Sequence, residues 1–108
     1  MKAWEIYTGD VFGEHPCVLV SNQPRIDAKA EIVVLGCRTM RPDQDREPRA
    51  NEVLLDEADG LDFKILCRCD LLFTIDKSRL GRRRGMVTPA RRHEIARRII
   101  QGLAIAGM

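Results

Sequence analysis

The arginines in the last third of the chain are the residues whose chemistry stands out first. Residues 77–108 carry 9 Lys/Arg against 1 Asp/Glu, a net charge of +8, whereas residues 1–76 carry 9 against 15, a net charge of −6. A basic segment can follow a phosphate backbone, because each neutralised phosphate releases counterions. The alternative is that four of these arginines are only the solvated face of a helix: Arg91, Arg92, Arg97 and Arg98.

Three consecutive arginines, Arg82, Arg83 and Arg84, lie between Gly81 and Gly85. The flanking glycines predict a tight turn. Like charges in one turn repel each other unless a counter-charge neutralises them. The triplet therefore predicts contact with an acidic partner or ligand.

The four cysteines offer a second possible chemistry, because thiolates bind zinc. Cys67 and Cys69 are one residue apart in a strand-like run, which would place both thiols on one face, and Cys17 and Cys37 also lie in apolar runs. Structural zinc sites usually present thiols from turns with two to four residues between them, so the spacing favours reduced core thiols over a metal site. Nothing marks the chain as secreted, which disfavours a disulfide framework.

Short strands must position these residues. Runs of β-branched and apolar residues predict strands at 3–8, 15–21, 31–37, 52–56 and 66–75. Turn residues at 9–13 and 59–60 separate some of them. The polar stretch 41–50 contains two prolines and no apolar spacing, which predicts a mobile loop.

One amphipathic helix follows the strands. Thr88 can cap its N-terminus, Pro89 suits the first turn because an N–H there would have no helical partner, and Gly107 can end it. Its apolar stripe consists of Ile95, Ile99, Ile100 and Leu103. Short antiparallel strands with one covering helix predict a single domain over residues 1–108, mainly β with a C-terminal helix, built as a small SH3-like barrel.

The composition is that of an ordinary globular chain. With 108 residues, 44% hydrophobic and 31% charged, the chain can bury one small core and is neither disordered nor fibrous. No apolar run approaches the roughly 20 residues that a membrane-spanning helix needs, and the N-terminus lacks the apolar stretch of a signal peptide. We therefore expect no membrane association and a cytoplasmic location.

The C-terminal third resembles the MazF/PemK toxin family. The resemblance is carried by Thr74-Ile75-Asp76-Lys77-Ser78-Arg79-Leu80, and by Gly85-Met86-Val87-Thr88 with the helix after it. In that family a T-I-D-K-x-R-L step ends a strand, a short strand follows, and one helix closes a barrel of the MazF/PemK/CcdB type. Most of the family cuts single-stranded RNA without a metal. The resemblance thus implies a metal-independent endoribonuclease that has no cofactor and leaves a 2′,3′-cyclic phosphate and a 5′-OH.

The family's second strand opens with an Arg-Pro step whose arginine acts in cleavage, and His15-Pro16 stands at the matching place. Imidazole can accept or donate a proton near neutral pH, so the resemblance implies that His15 acts as base or acid on the ribose 2′-OH. Taken alone, the pattern favours a loop histidine at a strand edge.

A second family position is a Thr or Ser at the end of the third strand, which contacts the scissile phosphate. Strict register places Cys37 there, and a two-residue extension places Thr39. We prefer Thr39 with Arg38, because a hydroxyl and a guanidinium bind phosphate oxygens well and a thiol does not. Other residues predicted to contact RNA are Arg25, Arg41, Asp70 and Lys77.

The sequence departs from the family in two places. The loop at 9–14, which overhangs the substrate groove in the family, is short, and Asp70 on the fifth strand is followed by apolar residues at 71–73. A cleavage-inactive RNA- or protein-binding module therefore remains an alternative. A gyrase poison of the CcdB type is disfavoured, because such a protein ends in Trp-Gly-Ile and this sequence ends in Ala-Gly-Met.

The predicted partners are single-stranded RNA and a cognate antitoxin with an acidic segment, for which Arg82, Arg83 and Arg84 are the predicted contacts. We also expect a homodimer, because one helix cannot cover all the apolar strand surface and a self-complementary patch is a common solution.

Overall fold

The computed structural model describes residues 1–11 and 13–104. Its strands are β1 (Glu5–Asp10), β2 (Glu14–Leu19), β3 (Glu31–Thr39), β4 (Glu52–Leu55), β5 (Ile65–Asp76) and β6 (Leu80–Met86), and its helices are α1 (Gln23–Ala28) and α2 (Pro89–Gly102). Single 3-10 turns lie at Pro42–Gln44, Glu57–Asp59 and Lys77–Arg79. No helix in the described ranges is long and apolar enough to cross a membrane.

The strands form one antiparallel sheet in the order β4-β5-β3-β2-β1-β6. Register shifts interrupt the β1–β6 and β3–β5 pairings, and such bulges increase strand twist. The sheet curls until Gly85 of β6 lies against the turn after β4, where a Cβ on Gly85 would be 2.1 Å from the Asp59 carbonyl oxygen. The predicted mainly β fold, a small barrel-like antiparallel sheet with a C-terminal helix, is confirmed.

Apolar side chains pack on both faces of the sheet. Val18 and Leu35 belong to the cluster that includes Ile95 of α2, whereas Leu19 and Val34 belong to the cluster that includes Ile26 of α1. Neighbouring residues of a strand point to opposite faces, so the continuous apolar runs of β2 and β3 serve both clusters. All four cysteines are buried and free, as predicted for core thiols.

The predicted turn at Gly81–Gly85 is wrong. Residues Leu80–Met86 form β6, which pairs with β1 and aligns Arg83 with Tyr7. Extended backbone turns successive side chains to opposite faces, so the three arginines are not crowded into one turn.

Helix α1 has no counterpart among the predicted elements. Asn22 caps it, because its Oδ1 accepts a hydrogen bond from the Arg25 backbone N–H at 3.0 Å, and Ile26 is its buried residue. The six-residue helix is too short to show an amphipathic period.

Helix α2 starts as predicted, although the Thr88 side chain makes no capping hydrogen bond. The helix ends at Gly102, and the predicted end at Gly107 lies outside the described residues. Its predicted apolar stripe is only partly buried, because Ile100 and Leu103 are 53% and 39% exposed.

Candidate functional site

A groove of about 350 Å³ opens where β2, β3 and β5 lie side by side. Three exposed residues, His15, Arg38 and Arg68, line it, one from each strand. Buried and half-buried residues form the rest of its wall, here called the apolar floor: Val11, Pro16, Cys17, Gly36, Cys37, Leu71 and Phe73. An imidazole and two arginine side chains thus line one groove above an apolar surface.

The strand register explains why His15 and Arg38 line the same groove. The described β2–β3 pairing reaches Cys17 opposite Gly36, and Pro16 has no N–H with which to extend it. His15 lies two residues beyond Cys17, and Arg38 lies two residues beyond Gly36 on the antiparallel neighbour. The two residues therefore stand at matching positions just beyond the described β2–β3 pairing.

A bulge in β5 lies where Arg68, Leu71 and Phe73 of this strand line the groove. Between Leu35 and Cys37, β3 advances two residues, while its partner β5 advances five, from Leu72 back to Cys67. The extra residues of β5 bulge out opposite Gly36, and β-bulges commonly re-aim side chains next to functional sites.

Gly36 leaves the space that the apolar floor requires. A Cβ at this position would lie 2.8 Å from Leu71 Cδ2 and 3.0 Å from Phe73 Cε2. Any larger residue would therefore push these two side chains out of the groove.

Two smaller cavities share the lining residue Arg38 with this groove. One, of about 270 Å³, is lined by Arg38, Thr39, Met40, Gln44, Arg46, Arg49 and Leu66. The other, of about 120 Å³, is lined by Arg38, Arg46, Arg49, Asn51, Glu52 and Arg68. Arg38 borders all three spaces, so it joins them into one surface.

Thr39 thus lies beside the neighbouring cavity rather than along the groove of His15. Cys37, the alternative at this family position, is 5% exposed and does border the groove. His15 and Arg38 line the same groove, whereas Thr39 lines the neighbouring cavity together with Arg38.

Glu52 organises the loop that borders both smaller cavities. Its buried carboxylate accepts two hydrogen bonds from Arg46, at 2.8 and 2.9 Å, and one from the Arg49 backbone N–H at 2.8 Å. The Arg46 hydrogen bonds are the main cause that lowers the pKa of Glu52 to about 2. Glu52 is therefore ionised at neutral pH, and its charge is already compensated by Arg46.

The other predicted RNA contacts are dispersed. Arg41 is exposed at the start of the turn Pro42–Gln44, and Asp70 accepts a hydrogen bond from Asn51 Nδ2 at 2.9 Å. Lys77 Nζ donates to the Ile26 carbonyl of α1 at 2.7 Å, and Arg25 lies on the same helix. These two cations lie near the start of β3, about 23 Å from Arg38 at roughly 3.3 Å per strand residue. The structure does not bring them together with His15.

The predicted antitoxin contacts lie on β6, at an edge of the sheet. Arg83 pairs with the buried carboxylate of Glu5, and the Arg84 guanidinium carbon lies 5.2 Å from the centre of the Phe63 ring. Arg82 is exposed and forms no ion pair within residues 1–11 and 13–104. Two of the three charges thus have partners inside the chain.

The buried thiols of the sheet are poor candidates for chemistry. Burial raises the pKa of the Cys17 thiol to about 12, and the pKa of Cys67 is also raised, mainly by its hydrogen bond with Cys37. A buried thiol held in its neutral form is unreactive. Among the described residues no group of His, Cys, Asp and Glu could hold a metal ion.

Arg68 is the residue of the site that sequence reasoning missed. A usable signal was present, because a charged residue stands between two buried cysteines in the run Ile65–Asp76. In a half-buried strand such a residue must point to the solvent side.

Comparison with known proteins supplies further context. The family model described as PemK-like, MazF-like toxin of type II toxin–antitoxin systems matches residues 2–103. An endoribonuclease from mycobacterial species, solved with its cognate antitoxin, has 25% sequence identity and a TM-score of 0.80, with 97% of this chain and 96% of that chain covered. No curated protein sequence gives a significant match.

Two more distant structures share the fold. The Mycobacterium tuberculosis toxin MazF-mt6 has 20% identity and a TM-score of 0.78, with 91% of this chain and 94% of that one covered. A MazE–MazF structure from Deinococcus radiodurans has 14% identity and a TM-score of 0.73, with 100% and 96% covered.

Proposed function

The chain belongs to the PemK-like, MazF-like toxin family of type II toxin–antitoxin systems, and we propose that it is an endoribonuclease that cuts single-stranded RNA without a metal. One observation carries the proposal: His15, Arg38 and Arg68 line a single groove with an apolar floor. A similar structure is described as an endoribonuclease. Single-stranded RNA offers the groups that this groove can bind, since its bases are free to pack on apolar side chains and its phosphates face cations.

In the proposed reaction, the imidazole of His15 takes the proton of a ribose 2′-OH. The 2′ oxygen then bonds to the adjacent phosphorus, and the bond from phosphorus to the 5′ oxygen breaks. Arg38 and Arg68, which line the groove, stabilise the charge on the phosphoryl oxygens, and Thr39 hydrogen-bonds a phosphate oxygen from the neighbouring cavity that it shares with Arg38. The leaving 5′ oxygen takes a proton from water or from the His15 imidazolium, which gives a 2′,3′-cyclic phosphate and a 5′-OH.

Cleavage of single-stranded RNA by the pure protein tests this proposal. We expect cleavage to persist in EDTA and the upstream products to carry a 2′,3′-cyclic phosphate, as read by mass spectrometry. RNA in which every 2′-OH is methylated is the matched control, because it lacks the nucleophile and should remain intact. Dependence on a divalent metal, or failure to cut any RNA, would contradict the proposal and favour a binding module.

We propose that an antitoxin with an acidic segment inhibits the protein, since similar structures are described as complexes with an antitoxin. Changing Arg82, Arg83 and Arg84 together to serine should weaken antitoxin binding and reduce its salt dependence, because exposed charges act over about 10 Å at 0.1 M salt. Isothermal titration at two salt concentrations measures both effects. Arg97→Ser on α2 serves as the control. A wild-type affinity that does not respond to salt would rule out the electrostatic explanation.

We also propose that the protein is a homodimer whose interface includes part of α2. Ile100 of α2 and Leu103, the residue that follows the helix, are exposed, and Leu72 is exposed on β5, against which α2 packs. Ile100→Asp should shift the mass measured by light scattering at tens of micromolar from dimer to monomer. A monomer mass for the wild type would contradict the proposal.

A further inference from the structure

We propose that Arg38, Arg49 and Arg68 form a second phosphate site, which holds the phosphodiester of the RNA next to the one that is cut. The inference rests on the proposed function for the identity of the ligand. Its location, however, follows from the cavity of about 120 Å³ that these arginines share.

The cavity has the size and the donors for a phosphate group. Water occupies about 30 Å³ per molecule in the liquid, so the 120 Å³ of this space corresponds to roughly four water molecules. The three arginines line it from β3, from the segment before β4 and from β5. One guanidinium group can donate two parallel hydrogen bonds to the oxygens of a phosphate, which suits a site that arginines line from several sides.

The net positive charge of the cavity wall also favours the binding of an anion. Among the described residues, Glu52 is the only carboxylate in its wall, and its oxygens accept hydrogen bonds from Arg46 and from the Arg49 backbone N–H. Within the described ranges, the side chains of Arg38, Arg49 and Arg68 form no ion pair. Three uncompensated positive charges around one small space repel each other, and a bound phosphate would remove that repulsion.

The position of Arg38 connects this site to the cleavage groove. Arg38 borders both the groove of His15 and the smaller cavity, so a strand with its scissile phosphate beside His15 would place a neighbouring phosphate near Arg49. Glu52 fixes the backbone at Arg49 before RNA arrives. Arg49 is thus a positioning residue, and it is expected to act on substrate binding rather than on the chemical step.

Binding of an uncleavable RNA tests the site directly. The probe is a fluorescein-labelled 12-nucleotide RNA of mixed sequence in which every ribose is 2′-O-methylated, and its affinity is measured by anisotropy from 50 to 300 mM KCl. Arg49→Gln should weaken binding about tenfold at 100 mM KCl and reduce the slope of log K against log salt by about 0.7, the value for one phosphate contact on a single strand. Arg49→Lys should restore most of the slope.

Arg79→Gln is the matched control, because Arg79 is an exposed arginine on the turn next to Lys77, at the other end of β3. It should leave the slope at the wild-type value. Unfolding curves of both variants confirm that neither change alters the fold. An unchanged slope in Arg49→Gln, or an equal loss in Arg79→Gln, would overturn the proposed site.

Cleavage kinetics separate this inference from the proposed function. If the wild type cuts RNA, Arg49→Gln should raise KM about tenfold and leave kcat within about twofold. If the wild type cuts nothing but Arg49→Gln still reduces the slope, the phosphate site stands and the endoribonuclease proposal fails. If the wild type cuts RNA and Arg49→Gln changes neither KM nor the slope, the endoribonuclease proposal stands and the phosphate site fails.

Discussion

Replacing His15 with alanine should lower the rate of RNA cleavage by about two orders of magnitude or more, the usual scale for loss of a general acid or base. His15 is exposed at the start of β2 and lies opposite Arg38 where the ladder ends. Its removal leaves the core unchanged, so RNA affinity and stability should stay near their wild-type values. Single-turnover cleavage of a labelled RNA measures the rate of the chemical step.

The chain supplies a matched control for this experiment. His93, its other histidine, is exposed on α2, and His93→Ala should cleave at the wild-type rate. A His15→Ala protein that cuts as fast as the wild type would remove His15 from the mechanism.

Replacing Arg91 with alanine should reduce the free energy of unfolding by about 3 kcal/mol, as expected when one partner of a buried ion pair is removed. The Asp59 side chain is 0% exposed, and its carboxylate accepts hydrogen bonds from Arg91, from the Asp56 backbone N–H at 3.0 Å and from the Thr88 backbone N–H at 3.0 Å. Without Arg91 this charge stays buried with no counter-charge. Urea unfolding followed by circular dichroism measures the loss.

The same ion pair fixes the start of α2 to the turn after β4. Arg91 also donates to Asp56 at 2.6 Å, and this hydrogen bond is the main cause that lowers the pKa of Asp56. Arg97→Ala is the control, because Arg97 forms an ion pair with Glu94, three residues earlier on the same helix. The unfolding curve of Arg97→Ala should stay close to that of the wild type. A loss below about 1 kcal/mol in Arg91→Ala would show that the buried carboxylate does not depend on this partner.

Local patterns in the sequence were enough to predict most of the elements. The β-branched run at 31–37 predicted β3, because such residues fit a pleated sheet, and the longer apolar run at 66–75 predicted β5. Thr88 and Pro89 predicted the start of α2 because a helix N-terminus needs no N–H from proline. The Asp59–Gly60 turn was also visible, and Gly60 adopts a φ of +83° there. Each of these features depends on neighbours along the chain.

Partners distant in sequence decided the rest. Residues 81–85 looked like a turn from their glycines, but hydrogen bonds from β1 extend them into β6. The stripe on α2 suggested four buried residues, yet how far a helix is covered depends on the sheet beneath it, and Ile100 stays exposed. The composition of a segment identifies neither the strand that pairs with it, here β1, nor the sheet that a helix such as α2 covers.

The candidate site shows the same division. The sequence by itself determined the family, the residue types His15 and Arg38, and the strands that carry them. Only the tertiary structure decided that these two side chains line one groove, that Arg68 lines it with them, and that Thr39 lines the neighbouring cavity instead. The reason is physical: a shift of one residue in strand register turns every side chain to the other face, and the bulge of β5 opposite Gly36 arises from packing between strands about 30 residues apart.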